Sequence, residues 1–221
     1  MNKTILVTGA AGNLGKATIE KFLAGGHTVI AVVSPGKGLD VQKNLFAYPA
    51  DLSNESATQA SLDKITSQHQ AIHAAVLAVG GFAMGTIEST SSAEIQKMVS
   101  LNFNTSYHVA RSVLKKMISQ QEGRIILVGS RPALEPARGK TSVAYSLSKS
   151  LIFQLAELIN TEASAKNVKA SVIVPDIIDT PANRQDMPKA DFSKWVTPQA
   201  IAHIIYDLVM GKRTETVIQL Y

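Results

Sequence analysis

The chain has no cysteine, which excludes disulfides and thiolate metal ligation. No apolar run approaches the roughly 18 residues of a membrane-spanning helix. The opening Met-Asn-Lys-Thr leads straight into a strand-like run, whereas a signal peptide needs a longer apolar stretch and a small-residue cleavage site. A cytoplasmic protein without membrane contact is expected. Charge is not concentrated either. The 22 Lys and Arg residues against 17 Asp and Glu leave a net charge of +5, but they occur singly or in pairs such as Lys115-Lys116 and Lys212-Arg213. Without a basic stripe and interleaved aromatics, nucleic-acid binding is not expected. A phosphate-bearing cofactor is a simpler use for part of the excess. The five histidines, His27, His69, His73, His108 and His203, show no ligand spacing with acids, so no metal site is expected. Internal repeats, low-complexity tracts and interdomain linkers are absent from the sequence as well.

What is present fits one domain over 1–221. The chain is 45% hydrophobic and 18% charged, with enough length for a sizeable core. Short apolar runs alternate with longer helix-like stretches. Strands are expected at Thr4–Thr8, Thr28–Val33, Leu45–Ala50, Ile72–Val79, Arg124–Gly129, Val168–Val174 and Thr216–Leu220. Helices are expected at Asn13–Ala24, Asn54–Ser67, Ser142–Ala165 and Pro198–Met210, with one long or two shorter ones across Ser91–Ser119. Strands apolar on both faces and separated by helices imply an α/β fold. It would be a doubly wound, seven-stranded, mainly parallel sheet with helices on both faces. The least regular stretch is Asp176–Thr197, which contains Pro181 and Pro188. A loop of that length inside a compact domain is usually functional.

The first strand runs into Thr8-Gly9-Ala10-Ala11-Gly12-Asn13-Leu14-Gly15. Glycine at these places lets backbone approach closely, and the following helix presents free N–H groups to a pyrophosphate. Such a turn between strand and helix points to a dinucleotide. The end of the second strand reads the ribose, where an NAD-binding domain usually carries Asp or Glu. Here Ser34 stands there, followed by Pro35-Gly36-Lys37. No carboxylate repels a 2′-phosphate, and Ser34 and Lys37 are placed to bind one. NADP(H) is therefore expected over NAD(H).

Tyr145 and Lys149 lie four residues apart in Tyr-Ser-Leu-Ser-Lys, on one face of a helix. A free phenol has a pKa of about 10. An ammonium about 4 Å away interacts by roughly 4 kcal/mol at an effective dielectric near 20, a ceiling of about three pKa units. Lys149 is thus expected to bring Tyr145 towards neutrality, as suits a general acid that protonates a carbonyl as hydride arrives.

The order of the glycine turn, Asp51-Leu52, Asn102, Ser130 and Tyr145-x-x-x-Lys149 resembles the short-chain dehydrogenases/reductases along the whole chain. The resemblance implies a Rossmann sheet and NAD(P)-dependent chemistry on a carbonyl or imine. By position, Asp51 and Leu52 would border the adenine and Asn102 would sit in the proton-relay helix. Lys149 would bind the nicotinamide ribose, and Ser130 would polarise the substrate carbonyl. Val79, Gly80 and Gly81 would form the fourth-strand loop against the cofactor. Pro175, Ile178 and Thr180 would flank the nicotinamide, although Asp176 replaces the usual glycine after Pro175.

Two stretches are similar, more narrowly, to dihydropteridine reductases: Asp179 to Trp195 with Thr197-Pro198, and Leu77-Ala-Val-Gly-Gly-Phe-Ala-Met-Gly85. That subgroup usually lacks the catalytic serine and carries an acid at the Ser34 slot. Ser130 also lies fifteen residues before Tyr145, slightly further than is usual. It therefore has two readings, polarising a carbonyl or capping the strand end.

The sequence reading is a reductase that passes hydride from NAD(P)H to a small carbonyl or quinonoid pterin-like substrate, with Tyr145 as proton donor. The alternatives are a generic carbonyl or 3-oxoacyl reductase using Ser130, Tyr145 and Lys149, and a catalytically silent NADP-binding sensor. Phe192 and Trp195 are expected to anchor the irregular stretch Asp176–Thr197 by packing, Ser142 to cap its helix, and Met98 and Met117 to fill core. Leu151, Ile152, Leu155, Leu158 and Ile159 give the Ser142 helix more apolar surface than one sheet face needs, so a homodimer or homotetramer is expected.

Overall fold

A computed structural model describes residues 2–40 and 42–221. The elements run β1 (Thr4–Thr8), α1 (Asn13–Ala24), β2 (Thr28–Val33), β3 (Leu45–Pro49), α2 (Glu55–Gln68), β4 (Ala74–Leu77) and α3 (Ser92–Val99). Next come α4 (Thr105–Gln120), β5 (Glu122–Val128), α5 (Arg131–Leu134), α6 (Pro136–Gly139) and α7 (Val143–Glu162). The chain closes with β6 (Asn167–Pro175), α8 (Pro181–Asp186), α9 (Pro198–Val209) and β7 (Val217–Leu220). The seven strands form one parallel sheet in the order β3-β2-β1-β4-β5-β6-β7. The order reverses between β1 and β4, and that switch point leaves a crevice beyond the strand ends.

Alternation within each strand divides the core in two. Ile5 and Val7 of β1 pack with Leu14, Ile19 and Phe22 of α1 and Ile201, Ile205 and Leu208 of α9. Leu6, on the opposite face, packs with Leu62 and Ile65 of α2, Val113 and Met117 of α4, and Ile152, Leu155 and Ile159 of α7. Each of these residues is at most 9% exposed, and a buried Leu or Ile contributes about 1.5–3 kcal/mol.

Local signals set the helix starts. Asn54 Oδ1 accepts the Ala57 N–H at 2.9 Å, and Ser91 and Glu94 form a reciprocal capping box. Thr180 and Thr197 cap α8 and α9, each followed by proline. Ser142 takes the N-cap position of α7, but its side chain caps nothing.

The structure shortens one expected strand, decides one open alternative and fills one irregular stretch. The fourth strand is shorter, because ladder pairing stops at Leu77 and the glycine-rich loop begins. The Ser91–Ser119 stretch is two helices joined by a π-helical turn, Ser100–Asn104. The region after β6 is not structureless. It holds α8, a 3-10 turn at Phe192–Lys194 and a bridge between Ile178 and Val196. Phe192 and Trp195 pack on each other at 4.8 Å, and the Arg184 guanidinium lies 4.6 Å from the Phe192 ring. No described helix is long and apolar enough to cross a membrane.

Candidate active site

The candidate site is built on the C-terminal ends of the strands. At β1, Gly9 adopts φ +61 and a Cβ there would come 3.0 Å from the Ala78 carbonyl, which ties the turn to the end of β4. A Cβ on Gly15 would drive into the Gly9 carbonyl oxygen. Gly12 is the N-cap of α1 and donates its N–H to Gly9 O at 2.9 Å. No side chain caps α1 and no acid lies in its first turn. The N–H groups of Asn13, Leu14 and Gly15 thus face outward from a positive helix end, the setting an anion requires.

The neighbouring strand ends carry the other nucleotide candidates. Ser34 and Lys37 are exposed just beyond β2, in a turn closed by the Lys37 N–H on Ser34 O at 3.0 Å. Beyond β3, Asp51 Oδ1 accepts from the Ser53 N–H and hydroxyl, which hold its pKa below the usual carboxylate range. Leu52 is buried, and its carbonyl meets His108 Nδ1 at 3.0 Å.

Around β4, β5 and α7 the catalytic candidates converge. Asn102 is fully buried in the π-helical turn. Its Oδ1 accepts the Gly81 N–H at 2.8 Å, and its Nδ2 donates to Ser148 Oγ at 2.9 Å. A Cβ on Gly80 would lie 2.9 Å from Asn102 Oδ1 and 3.2 Å from Lys149 Nζ. Glycine here lets the loop from Val79 to Gly81 lie between these two side chains.

Lys149 is 5% exposed and donates to Val128 O at 2.8 Å. Burial alone lowers its pKa to about 8. Tyr145 is partly exposed as a residue, yet its hydroxyl end is desolvated. That burial pushes its pKa up, and the nearby Ser130 hydroxyl pulls it back down. The expected acidification of Tyr145 by Lys149 is therefore corrected. The helix brings both residues to one face, but the ammonium is tied to the end of β5, and burial dominates the phenol.

Of the two readings of Ser130, the structure leaves capping without a hydrogen bond and keeps the hydroxyl near Tyr145 despite the longer spacing. The extra chain before Tyr145 is taken up by α5 and α6, and Ser130 stays beside the phenol. Its side chain caps neither strand nor helix. Its Oγ is buried at 1% residue exposure with no well-formed hydrogen bond, because its approach to Tyr145 falls short of good geometry. Across the crevice, Pro175 ends β6. Ile178 O accepts from Asn183 Nδ2 at 2.8 Å, and Thr180 Oγ1 accepts the Asn183 N–H.

Sequence reasoning missed three neighbours. Phe82 packs edge-on to Tyr145 at 5.0 Å while 60% exposed; its only signal was an aromatic directly after Gly80-Gly81. Ser148 links Asn102 to the Tyr145 carbonyl, and its signal was its place inside Tyr-Ser-Leu-Ser-Lys. Arg131 reaches Asp176 at 3.1 Å, a contact between segments far apart in sequence. Among the described residues no cluster of His, Asp or Glu could hold a metal.

The short chain dehydrogenase family matches residues 3–191. An uncharacterized oxidoreductase of Bacillus subtilis is 27% identical over 217 residues, covering 91% of this chain and 89% of that protein. An acetoacetyl-CoA reductase of Acinetobacter is 26% identical over 202 residues, covering 85% and 80%. The NADP-bound structure of ElxO superposes with a TM-score of 0.90 at 21% identity, covering 100% of this chain and 97% of that one. This chain belongs to the short chain dehydrogenase family and is an oxidoreductase of that type.

Proposed function

We propose that the protein is an NAD(P)H-dependent reductase of small carbonyl compounds. The observation that carries this reading is the buried hydroxyl of Ser130 beside Tyr145. An unsatisfied buried hydroxyl is costly, and a carbonyl oxygen placed between the two hydroxyls would satisfy both. The glycine turn, the uncapped α1 terminus and the glycine loop beneath Lys149 fit a dinucleotide, and ElxO is a relative in fold that holds NADP. Gly9, Gly12, Asn13, Leu14 and Gly15 would take the pyrophosphate, Asp51 and Leu52 the adenine, and Val79, Gly80, Gly81, Lys149, Pro175, Ile178 and Thr180 the nicotinamide half. A reduced nicotinamide held by these residues would supply hydride. Tyr145 donates a proton to the carbonyl oxygen, Ser130 polarises it, and Lys149 orients the ribose, with Asn102 behind them.

NADPH is the preferred form in this reading, because Ser34 and Lys37 replace the acid that would repel a 2′-phosphate. A reducing cytoplasmic setting suits a chain without cysteine. Self-association through α7 is part of the proposal, but on a narrower face than expected. Ile152, Leu155 and Ile159 belong to the sheet core, whereas Leu147, Leu151 and Leu158 remain exposed. A monomer in light scattering at micromolar concentration overturns it.

Reduction of a quinonoid dihydropterin is the second reading. Its support is the likeness of residues 179–195 and the exposed Phe82 ring at Tyr145, an aromatic wall suited to a flat substrate. The test is turnover of a ketone panel, including an acetoacetyl thioester, beside quinonoid dihydropterin. Ser130→Ala should lower ketone kcat by about 10²–10³ and leave pterin reduction within a few-fold. Undiminished ketone turnover removes Ser130 from the mechanism, and turnover of neither class by either cofactor removes the reading.

A further inference from the structure

Ser130 is placed by something other than its own side chain, since its hydroxyl makes no well-formed hydrogen bond. Pairing between β5 and β6 ends with the Gly129 N–H on Ile173 O at 2.8 Å. Ser130 is the first residue beyond that tether, and its carbonyl holds only the Ala133 N–H at 3.2 Å. The next residue carries the next cross-link. Arg131 Nε donates to both Glu135 carboxylate oxygens at 3.0 Å, and its Nη1 donates to Asp176 Oδ2 at 3.1 Å. The guanidinium also stacks 4.2 Å from the Tyr221 ring centroid. Asp176 directly follows Pro175, the last residue of β6. The usual glycine at that position could not pair with Arg131.

We propose that Arg131 is a positioning residue, clamped by Asp176 and Glu135, that fixes Ser130 against the Tyr145 hydroxyl. This rests on the reading of Ser130 as a carbonyl-polarising group. The clamp bridges the two strand ends where ladder bonding has stopped, so Ser130 is held on both flanks. Ion pairs this exposed add little stability. Their effect here is geometric, and a misplacement of about 1 Å at a reacting centre can cost about a hundredfold in rate.

The test is a double-mutant cycle on the full chain. Arg131→Met should lower ketone kcat at least tenfold with KM for NADPH unchanged, Arg131→Lys should recover part of the loss, and Asp176→Asn should lose several-fold. In a Ser130→Ala background, Arg131→Met should cost less than twofold more. Equal losses with and without Ser130, or a loss confined to KM for NADPH, would overturn the clamp. Asp176→Asn, nearly isosteric, carries the same cycle should Arg131→Met fail to fold. A second readout needs no turnover: tyrosinate absorbance titrated against the Tyr145→Phe protein. Release of Ser130 should move the Tyr145 ionisation to higher pH, and an unchanged titration in Arg131→Met overturns the proposal. Absent ketone turnover by the unmodified protein refutes the carbonyl reading, and the clamp is then decided by this titration alone.

Discussion

The two ends of the parallel sheet are built to different rules. At the N-terminal ends of the strands, side chains close the backbone. His27 Nδ1 accepts the Lys3 N–H at 3.1 Å and His73 Nδ1 accepts the Thr4 N–H at 2.9 Å. Lys3 Nζ pairs with Glu122 at 2.7 Å, Gln120 bonds both the N–H and the carbonyl of Ile72, and Arg124 spans to Asn167. At the C-terminal ends the backbone turns sharply on glycine, a lysine is buried without an acid, and a hydroxyl lies buried beside a desolvated phenol without a full hydrogen bond. The first end turns most of its polar groups to the fold, although His27 Nε2 is itself buried without a hydrogen bond, whereas at the second Lys149 lacks an acid and the Ser130 hydroxyl a full hydrogen bond. Sites that carry such unsatisfied groups cost stability, and this is the usual exchange between stability and activity.

Four measurements test this contrast. The largest effect belongs to Tyr145→Phe, which should reduce kcat by about 10²–10⁴ while cofactor binding, followed by nicotinamide fluorescence, stays unchanged. Retained turnover would remove Tyr145 as the proton donor, whereas unchanged biological activity in a protein without turnover would favour the silent sensor.

Lys149→Met should abolish most turnover yet raise stability at pH 7 by about 1–2 kcal/mol, since it removes a buried unpaired charge, or roughly 2–8 °C in Tm. Its sign follows from the lowered pKa. Below about pH 8 both folded and unfolded chains hold the proton, so the burial cost is fully present. Above that the folded chain releases it first, and the difference between the two proteins should shrink as pH approaches about 10.5. Thermal melts at pH 7 and pH 10 check this. A destabilised variant would mean that Lys149 serves the fold.

The opposite end should respond to acid. Burial lowers the pKa of both His27 and His73, and each must stay neutral at Nδ1 to accept a backbone N–H. As pH falls below about 6.5 the unfolded chain takes up protons that these folded imidazoles refuse, so stability declines. Urea midpoints should fall between pH 7.5 and pH 5, more than in a His27→Phe, His73→Asn double variant. A flat midpoint in the unmodified protein would remove both histidines from the account. The smallest effect is at the exposed Lys37, where Lys37→Ala should reduce the NADPH-to-NADH ratio of kcat/KM by about three- to tenfold, the scale of one exposed phosphate contact. A strong NADH preference in the unmodified protein refutes the choice of NADPH.

Much of the fold was legible because the signals were local. Apolar runs at Thr4–Thr8 and Thr28–Val33, the glycines closing α1 and the asparagine before α2 each act within a few residues of themselves. Boundaries shifted where tertiary pairing decides them, as at β4. The candidate site was legible as a set of residues that the fold brings together, because glycines at a strand–helix junction and Tyr145-x-x-x-Lys149 need no knowledge of distant chain. The electrostatics were not. The four-residue spacing indicated a charge beside a phenol, but the direction taken by Lys149 depends on the Val128 carbonyl, which α7 meets only after the sheet is assembled.

The amino-acid order alone therefore settled the parallel α/β class, the glycine turn and the shared helical face of Tyr145 and Lys149, all consequences of backbone geometry over a handful of residues. Tertiary structure decided that Ser130 lies against Tyr145 despite its longer spacing, that Lys149 bonds the end of β5, and that Arg131 meets Asp176. Each of these joins segments that sequence periodicity does not relate, and burial, which sets the ionisation of the groups involved, exists only once those segments are packed.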